Sequence, residues 1–282
     1  MNKITTFAEK FYQFLGIIVP GAFLFGIFQF PMKPAAVLPM AANVIAGEVI
    51  TKRAQVVLTE VFFGKVAHAE EIHKTIEQKI AFVSSRKAYP ASLAVIEKHE
   101  KTIKQKAAQN GVPEDVAIGV GLLENGGSDT AKSSAGALGV FQLMPGTARS
   151  LGLAVNKNVD ERRNPVKNID AGMRYLRSNY DRFGDWGLAT WAYHAGEGNV
   201  SKALQIYAKA NHKVMLTGVK NAAQIRNYVE KNGITIHKLL SDPSVKQFTK
   251  KLNDDSSGYP YKVIATATLF KEANKSKEVA EK

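Results

Sequence analysis

The chain has 282 residues, enough for one sizeable core, and carries 38 Lys and Arg against 25 Asp and Glu, a formal net charge of +13. It has no cysteine, which excludes disulfides, thiolate zinc sites and cysteine nucleophiles. Its six histidines are scattered without metal-ligand spacing, His99-Glu100 lacks the second histidine of a zincin, and no glycine-rich phosphate loop is present.

The charge is uneven. Residues 1–111 carry +6, residues 112–200 carry −1 and residues 201–282 carry +8. Basic flanks suit an anionic membrane surface or an anionic polymer. The lysines are mostly scattered and accompany no nucleic-acid motif, so no nucleic-acid partner is expected.

In chain order, the first readable stretch is Phe11 through Met32, 22 residues without a charged side chain. As a helix it spans roughly 33 Å, about the bilayer core. It reads as a signal anchor or an over-long signal peptide, with Pro20 tolerated in a membrane helix. Residues 34–91 read as a membrane-proximal linker with some helix, with Ala67-His68-Ala69 in the small-x-small form of a signal peptidase site. From Ser92 the chain becomes regular. Ser92 predicts a cap for a helix running to about Asn110, stopped by Gly111.

Pro113 opens a second helix that Gly126-Gly127 stops. Val116, Ala117, Val120 and Glu124 share one stripe of it, which places a carboxylate at the buried end of an apolar face. Burial raises a carboxylic acid's pKa, and a protonated Glu in an apolar cleft is what a general acid requires. A small-residue turn and an apolar run follow, Ser133-Ser134-Ala135-Gly136-Ala137-Leu138-Gly139-Val140-Phe141-Gln142, then a short helix from Pro145.

Asn164-Pro165 predicts a capped helix, and Ile169, Met173, Leu176, Tyr180 and Phe183 recur along it as a core stripe closed by Gly184. Asp185 caps the next helix, to about His194; Asn199 caps another to about Ala208, and residues 209–220 read as a basic loop. A helix over Asn221–Lys231, a polar loop over Lys246–Gly258, an apolar segment Tyr261–Leu269 and a charged, disordered tail 271–282 complete the expectation. The fold class is all-α.

Three segments carry chemistry in order: Glu124 at its helix end, Ser133-x-x-Gly136-Ala137-x-Gly139-x-x-Gln142, and Ala192-Tyr193-His194-Ala195-Gly196. Together they resemble the lytic transglycosylase family, lysozyme-like enzymes that cleave the glycan strand of peptidoglycan. Arg226-Asn227-Tyr228-Val229 resembles a further family segment, and Tyr261-Lys262-Val263-Ile264-Ala265 its closing helix. The resemblance covers roughly residues 105–230, with an echo near 259–270.

The resemblance implies a lysozyme-like multi-helix catalytic domain, here 92–270, and the uncharged run places a membrane segment at 1–33 ahead of it. It implies a cell-envelope location, anchored to the cytoplasmic membrane with the domain in the periplasm or cell-wall space. It implies cleavage between N-acetylmuramic acid and N-acetylglucosamine with a 1,6-anhydro product, without metal or cofactor. Glu124 takes the catalytic position; Ser133, Gln142 and Tyr193 match family positions that contact substrate or steady the site. The chain departs from the family at Asn125, where Ser is usual, at His194, where Asn is usual, and at Val140-Phe141, where Leu-Met is usual. Asn125 and His194 are therefore also candidate substrate contacts. Asp129, in the rim loop, offers a second carboxylate, in which case the scaffold would hydrolyse like a goose-type lysozyme. A third alternative is a non-catalytic peptidoglycan-binding relative.

Overall fold

Eleven α-helices and three short 3-10 turns make up the described part of the computed structural model, residues 69–216, 221–252 and 255–280. The run 11–32 and most of 34–91 lie outside those residues. Among the described residues no helix is long and apolar enough to cross a membrane. They contain no strand, only three isolated bridges, two of them, Lys132 with Leu138 and Leu138 with Leu143, within the turn after Glu124.

The helices form where the local chemistry closes their ends. Helix α1 (Ala69–Ser84) and α2 (Tyr89–Asn110) are joined by a short turn, and α2 ends on Gly111 at φ 62°, whose N–H reaches back to Ala107 and Ala108 carbonyls. Helix α3 (Glu114–Glu124) follows Pro113, and α4 (Pro145–Ser150) starts on its own proline. Side-chain oxygens cap α5 (Pro165–Phe183) and α6 (Trp186–Ala195): Asn164 accepts from Lys167 N and Asp185 from Leu188 N. Helix α7 (Glu197–His212) follows Gly196 directly. Asn221, Thr235 and Asp242 cap α8 (Ala222–Asn232), α9 (Ile236–Ser241) and α10 (Pro243–Thr249), and the long α11 (Tyr259–Ala280) closes the fold.

Several expected boundaries shift. The ordered fold begins before Ser92: α1 buries Ile72, Ile76 and Val83 within the stretch read as linker. Ser92 does not cap α2; Ala88 precedes that helix, and Ser92 is buried inside it. Residues 271–280 are helical rather than disordered, because Lys271 pairs with Asp115 and Lys277 with Glu97. The basic stretch after Ala208 remains helical to His212, and the polar stretch from Lys246 holds α10 and 3-10 turns. Charge and polarity were a poor guide there, since a helix packed on one side tolerates a solvated opposite face.

Helix α3 is the axis of the packing. It was expected to bury one stripe, but every residue from Val116 to Leu122 is buried. Its glycines allow this. A Cβ on Gly119 would stand 2.3 Å from the Val263 carbonyl oxygen of α11, and one on Gly121 would stand 3.0 Å from Ile96 of α2 and 3.1 Å from Phe141. The buried Thr266 hydroxyl of α11 lies 2.8 Å from the Gly119 carbonyl. The ends of α3 and α11 are tied as well, Asp115 to Lys271 and Glu124 to Tyr259, so the two helices run antiparallel in contact.

This packing predicts that Gly119→Ala destabilises the domain by about 2 kcal/mol or more, because backbone, not a flexible side chain, opposes the new methyl. Gly146→Ala, where nothing stands within 4 Å, should be neutral or stabilising by up to about 1 kcal/mol. Urea unfolding of both variants measures the contrast.

Candidate active site

Glu124 is the last residue of α3, and 18 % of its side chain remains accessible. The carboxyl is therefore enclosed by neighbours yet open on one side. The Tyr259 hydroxyl donates to Oε1 at 2.7 Å. The His194 ring stacks on the Tyr259 ring, centroids 4.3 Å apart and nearly parallel, with Nδ1 3.9 Å from the same Oε1. Three elements thus meet at one oxygen: α3 supplies the acid, α6 the imidazole and α11 the phenol.

Burial pushes the Glu124 pKa from its ordinary 4.5 up to about 7, against the Tyr259 hydrogen bond and the Arg86 guanidinium, which both favour the carboxylate. Desolvation wins because the apolar helix ends against a packed wall. That difference corresponds to about 3 kcal/mol against ionisation. Burial, and then the negative charge of Glu124, pushes both the Tyr193 and Tyr259 phenols well above their ordinary range, so each stays a neutral donor.

The acids nearest Glu124 in sequence are committed elsewhere. Glu114 pairs with Lys104 at 2.9 Å and Asp115 with Lys271 at 2.8 Å. Asp129, the candidate second carboxylate, binds Lys98 at 2.6 Å and His99 at 3.1 Å on α2. Those partners, Lys98 first, hold its pKa below the ordinary carboxylate range. Asp129 anchors the rim loop to α2.

The loop from Gly126 to Met144 forms the other side of the site, and its shape rests on buried polar anchors. Asn168 of α5, fully buried, donates to the Leu138 and Arg162 carbonyls and accepts from Phe141 N at 2.8 Å. Gly139 lies against it at φ 89°, where a Cβ would come within 2.3 Å of the amide nitrogen. Arg162, also buried, donates to the Gly136 and Leu143 carbonyls at 2.8 Å each and is held by Asp160. Tyr193 donates to the Phe141 carbonyl at 2.5 Å.

The sequence-predicted residues divide by place. Gln142 sits at φ 41°, a left-handed conformation that costs a non-glycine residue about 1–2 kcal/mol. Its amide nitrogen donates to the Ala131 and Gly139 carbonyls, a pair of bonds that leaves its Oε1 uncommitted. Ser133 is half-buried and its hydroxyl accepts from Ala137 N, closing the small-residue turn. His194 stands 3.9 Å from Glu124 Oε1, and Tyr193, next to it on α6, feels the charge of Glu124. Asn125 is different. It is fully buried, donating to the Ser92 and Gly121 carbonyls and accepting from Gly127 N, so it has no exposed surface with which to touch a sugar. It locks the end of α3 to α2.

Sequence reasoning missed Tyr259, Asn168, Arg162 and Arg86. Tyr259 stands just before Pro260, two residues ahead of the segment that resembles the closing helix, but nothing local links it to a carboxylate 135 residues away. Asn168, beside the core stripe of α5, was the detectable one: a buried amide in a helix needs backbone partners elsewhere.

The model of the Transglycosylase SLT domain matches residues 101–216. A transglycosylase of Enterobacteria phage PRD1 is 40 % identical over 96 residues, 34 % of this chain and 34 % of the phage protein. Membrane-bound lytic murein transglycosylase D of Escherichia coli K12 is 36 % identical over 85 residues, 30 % of this chain and 19 % of its own length. The X-ray structure of a lytic transglycosylase from Pseudomonas aeruginosa overlays with a TM-score of 0.40 at 22 % identity, covering 63 % of this chain and 24 % of that one. The chain thus spans about a third of the length of the first curated relative and about a fifth of the second. Tyr259 lies outside the matched residues, although its hydroxyl holds the Glu124 carboxyl. Through residues 101–216 the chain carries a transglycosylase SLT domain, and by that domain it is related to the lytic transglycosylases.

Proposed function

We propose that the protein is a peptidoglycan lytic transglycosylase that cleaves the bond from N-acetylmuramic acid to N-acetylglucosamine with Glu124 as its single acid and base. The observation that carries this reading is the buried Glu124 carboxyl, raised to about 7 and bonded to Tyr259, while its sequence-near acids are paired with lysines. Two-carboxylate hydrolysis needs a second, unencumbered carboxylate facing the sugar. A single group that is protonated near neutrality can instead serve twice.

Because Oε1 accepts from Tyr259, the acidic proton resides on Oε2. Glu124 gives that proton to the glycosidic oxygen as the bond to muramic C1 breaks. The substrate's own N-acetyl group carries the positive charge that develops at C1. The resulting carboxylate then removes the proton of the muramic C6 hydroxyl, whose oxygen closes on C1. The proton count returns to its start, and no water is consumed. Gln142 Oε1 supplies a polar group toward the sugars; His194, 40 % of whose side chain is accessible, borders Glu124 itself, and Ser133 and Asn125 act through the loop and helix end they fasten.

Placement in the envelope is part of the same proposal. The uncharged run 11–32 supports an uncleaved membrane anchor, and membrane-bound enzymes occur among the relatives. Full-length chain in the membrane pellet, resistant to high salt and released by detergent, is expected; a mature N-terminus at Glu70 in a soluble fraction would contradict anchoring.

Mass spectrometry of muropeptides released from purified sacculi tests the chemistry. Anhydro ends are expected, with activity falling as pH rises through about 7 because the acid form is lost. Glu124→Gln should lower the rate at least about 1,000-fold with the fold intact. Reducing ends would instead mean hydrolysis, and no release by well-folded wild type would mean binding alone.

A further inference from the structure

His194 occupies a position where the resembling family carries Asn, and the structure sets it against the catalytic carboxyl rather than out along the cleft. Its ring lies flat on Tyr259, and Nδ1 is 3.9 Å from Glu124 Oε1, too far for a hydrogen bond but well within ion-pair range. Tyr259 itself is buried and bonded to the same oxygen, so the imidazole, the phenol and the carboxyl form one packed group.

We propose that His194 is a positioning residue for the acid–base step, coupled electrostatically to Glu124 so that protonation of the imidazole offsets the charge Glu124 acquires on giving up its proton. The inference rests on the transglycosylase reading of Glu124 and names a group that tunes it. The transfer leaves a carboxylate in a site that burial makes hostile to charge. An imidazolium at that distance favours the carboxylate; a neutral asparagine does not. The same coupling raises the tendency of the imidazole to hold a proton while Glu124 is ionised, since the effect is reciprocal.

Among the described residues, other charged and titratable groups beside the pair come from several adjoining elements. Tyr193 on α6 and Tyr259 on α11 stay neutral. Arg86, in the turn between α1 and α2, acts on Glu124 in the same sense as an imidazolium. Asp255, ahead of α11, feels the charge of His194 but is held by Lys262 and by Lys79 of α1. Glu124 is the carboxylate in contact with the His194–Tyr259 stack that does not also have a lysine partner among these groups.

Titration by NMR of full-length protein tests the coupling without requiring activity. In Glu124→Gln the His194 imidazole midpoint should fall by at least about half a pH unit, the sign expected when a neighbouring negative charge is removed. In His194→Asn the Glu124 carboxyl should titrate with a raised midpoint and without the inflection that the wild type should show where the imidazole titrates. Turnover of soluble glycan strands by His194→Asn should lose the matching inflection in kcat while KM stays within about twofold. Unmoved midpoints in both variants would overturn the proposal. So would a raised KM with an unchanged pH profile, which would make His194 a sugar contact only. Failure of the transglycosylase reading itself would appear separately, as wild type releasing no anhydro products while the titrations still move together.

Discussion

The site depends on the cost of placing a carboxyl group at the end of an apolar helix that is buried on all sides. Helix α3 has no polar face on which Glu124 could remain solvated, because Gly119 lets the backbone of α11 close on it and Gly121 makes room for the Ile96 side chain of α2 and for Phe141. The price of ionising there is what keeps the acid protonated near neutrality. Tyr259 moderates that cost without removing it: one neutral hydroxyl orients the carboxyl but does not replace its lost hydration. Packing and acidity are therefore one property, and a looser α3–α11 interface would return Glu124 toward an ordinary carboxylate.

A second requirement is a rigid loop facing the acid. The turn after Glu124 has no extended strands to hold it, so its own backbone bonds are supplemented by side chains from elsewhere. Asn168 binds two of these backbone groups, Arg162 two and Tyr193 one. The strained Gln142 backbone persists because these bonds over-determine the loop. Gly139 has a physical reason of the same kind: any side chain there would displace the Asn168 amide that joins the loop to α5.

The sequence showed the helices whose stop and start signals are chemical. Gly111, Asn164-Pro165, Gly184 and Asp185 act where they were expected to, since capping is a local event. The position of Glu124 at a helix end was legible for the same reason. What escaped was nonlocal. Tyr259 reaches Glu124 only because α11 folds back along α3, and no periodicity reports that. Asn125 looked like a surface polar group beside a catalytic residue, yet its amide is spent entirely on backbone. Lys271 and Lys277 made a tail look disordered, although each finds a carboxylate, Asp115 on α3 and Glu97 on α2. Composition describes what a side chain is, and only the fold decides which partner it meets.

The most direct measurement of the account is a carbon NMR titration of the glutamate carboxyls, with the Glu124 resonance assigned by its disappearance in Glu124→Gln. A Glu124 transition centred near 7 is the predicted result. A midpoint at about 4.5 or below, in protein shown to be folded under the same conditions, would contradict the claim that burial at the end of α3 makes this residue an acid.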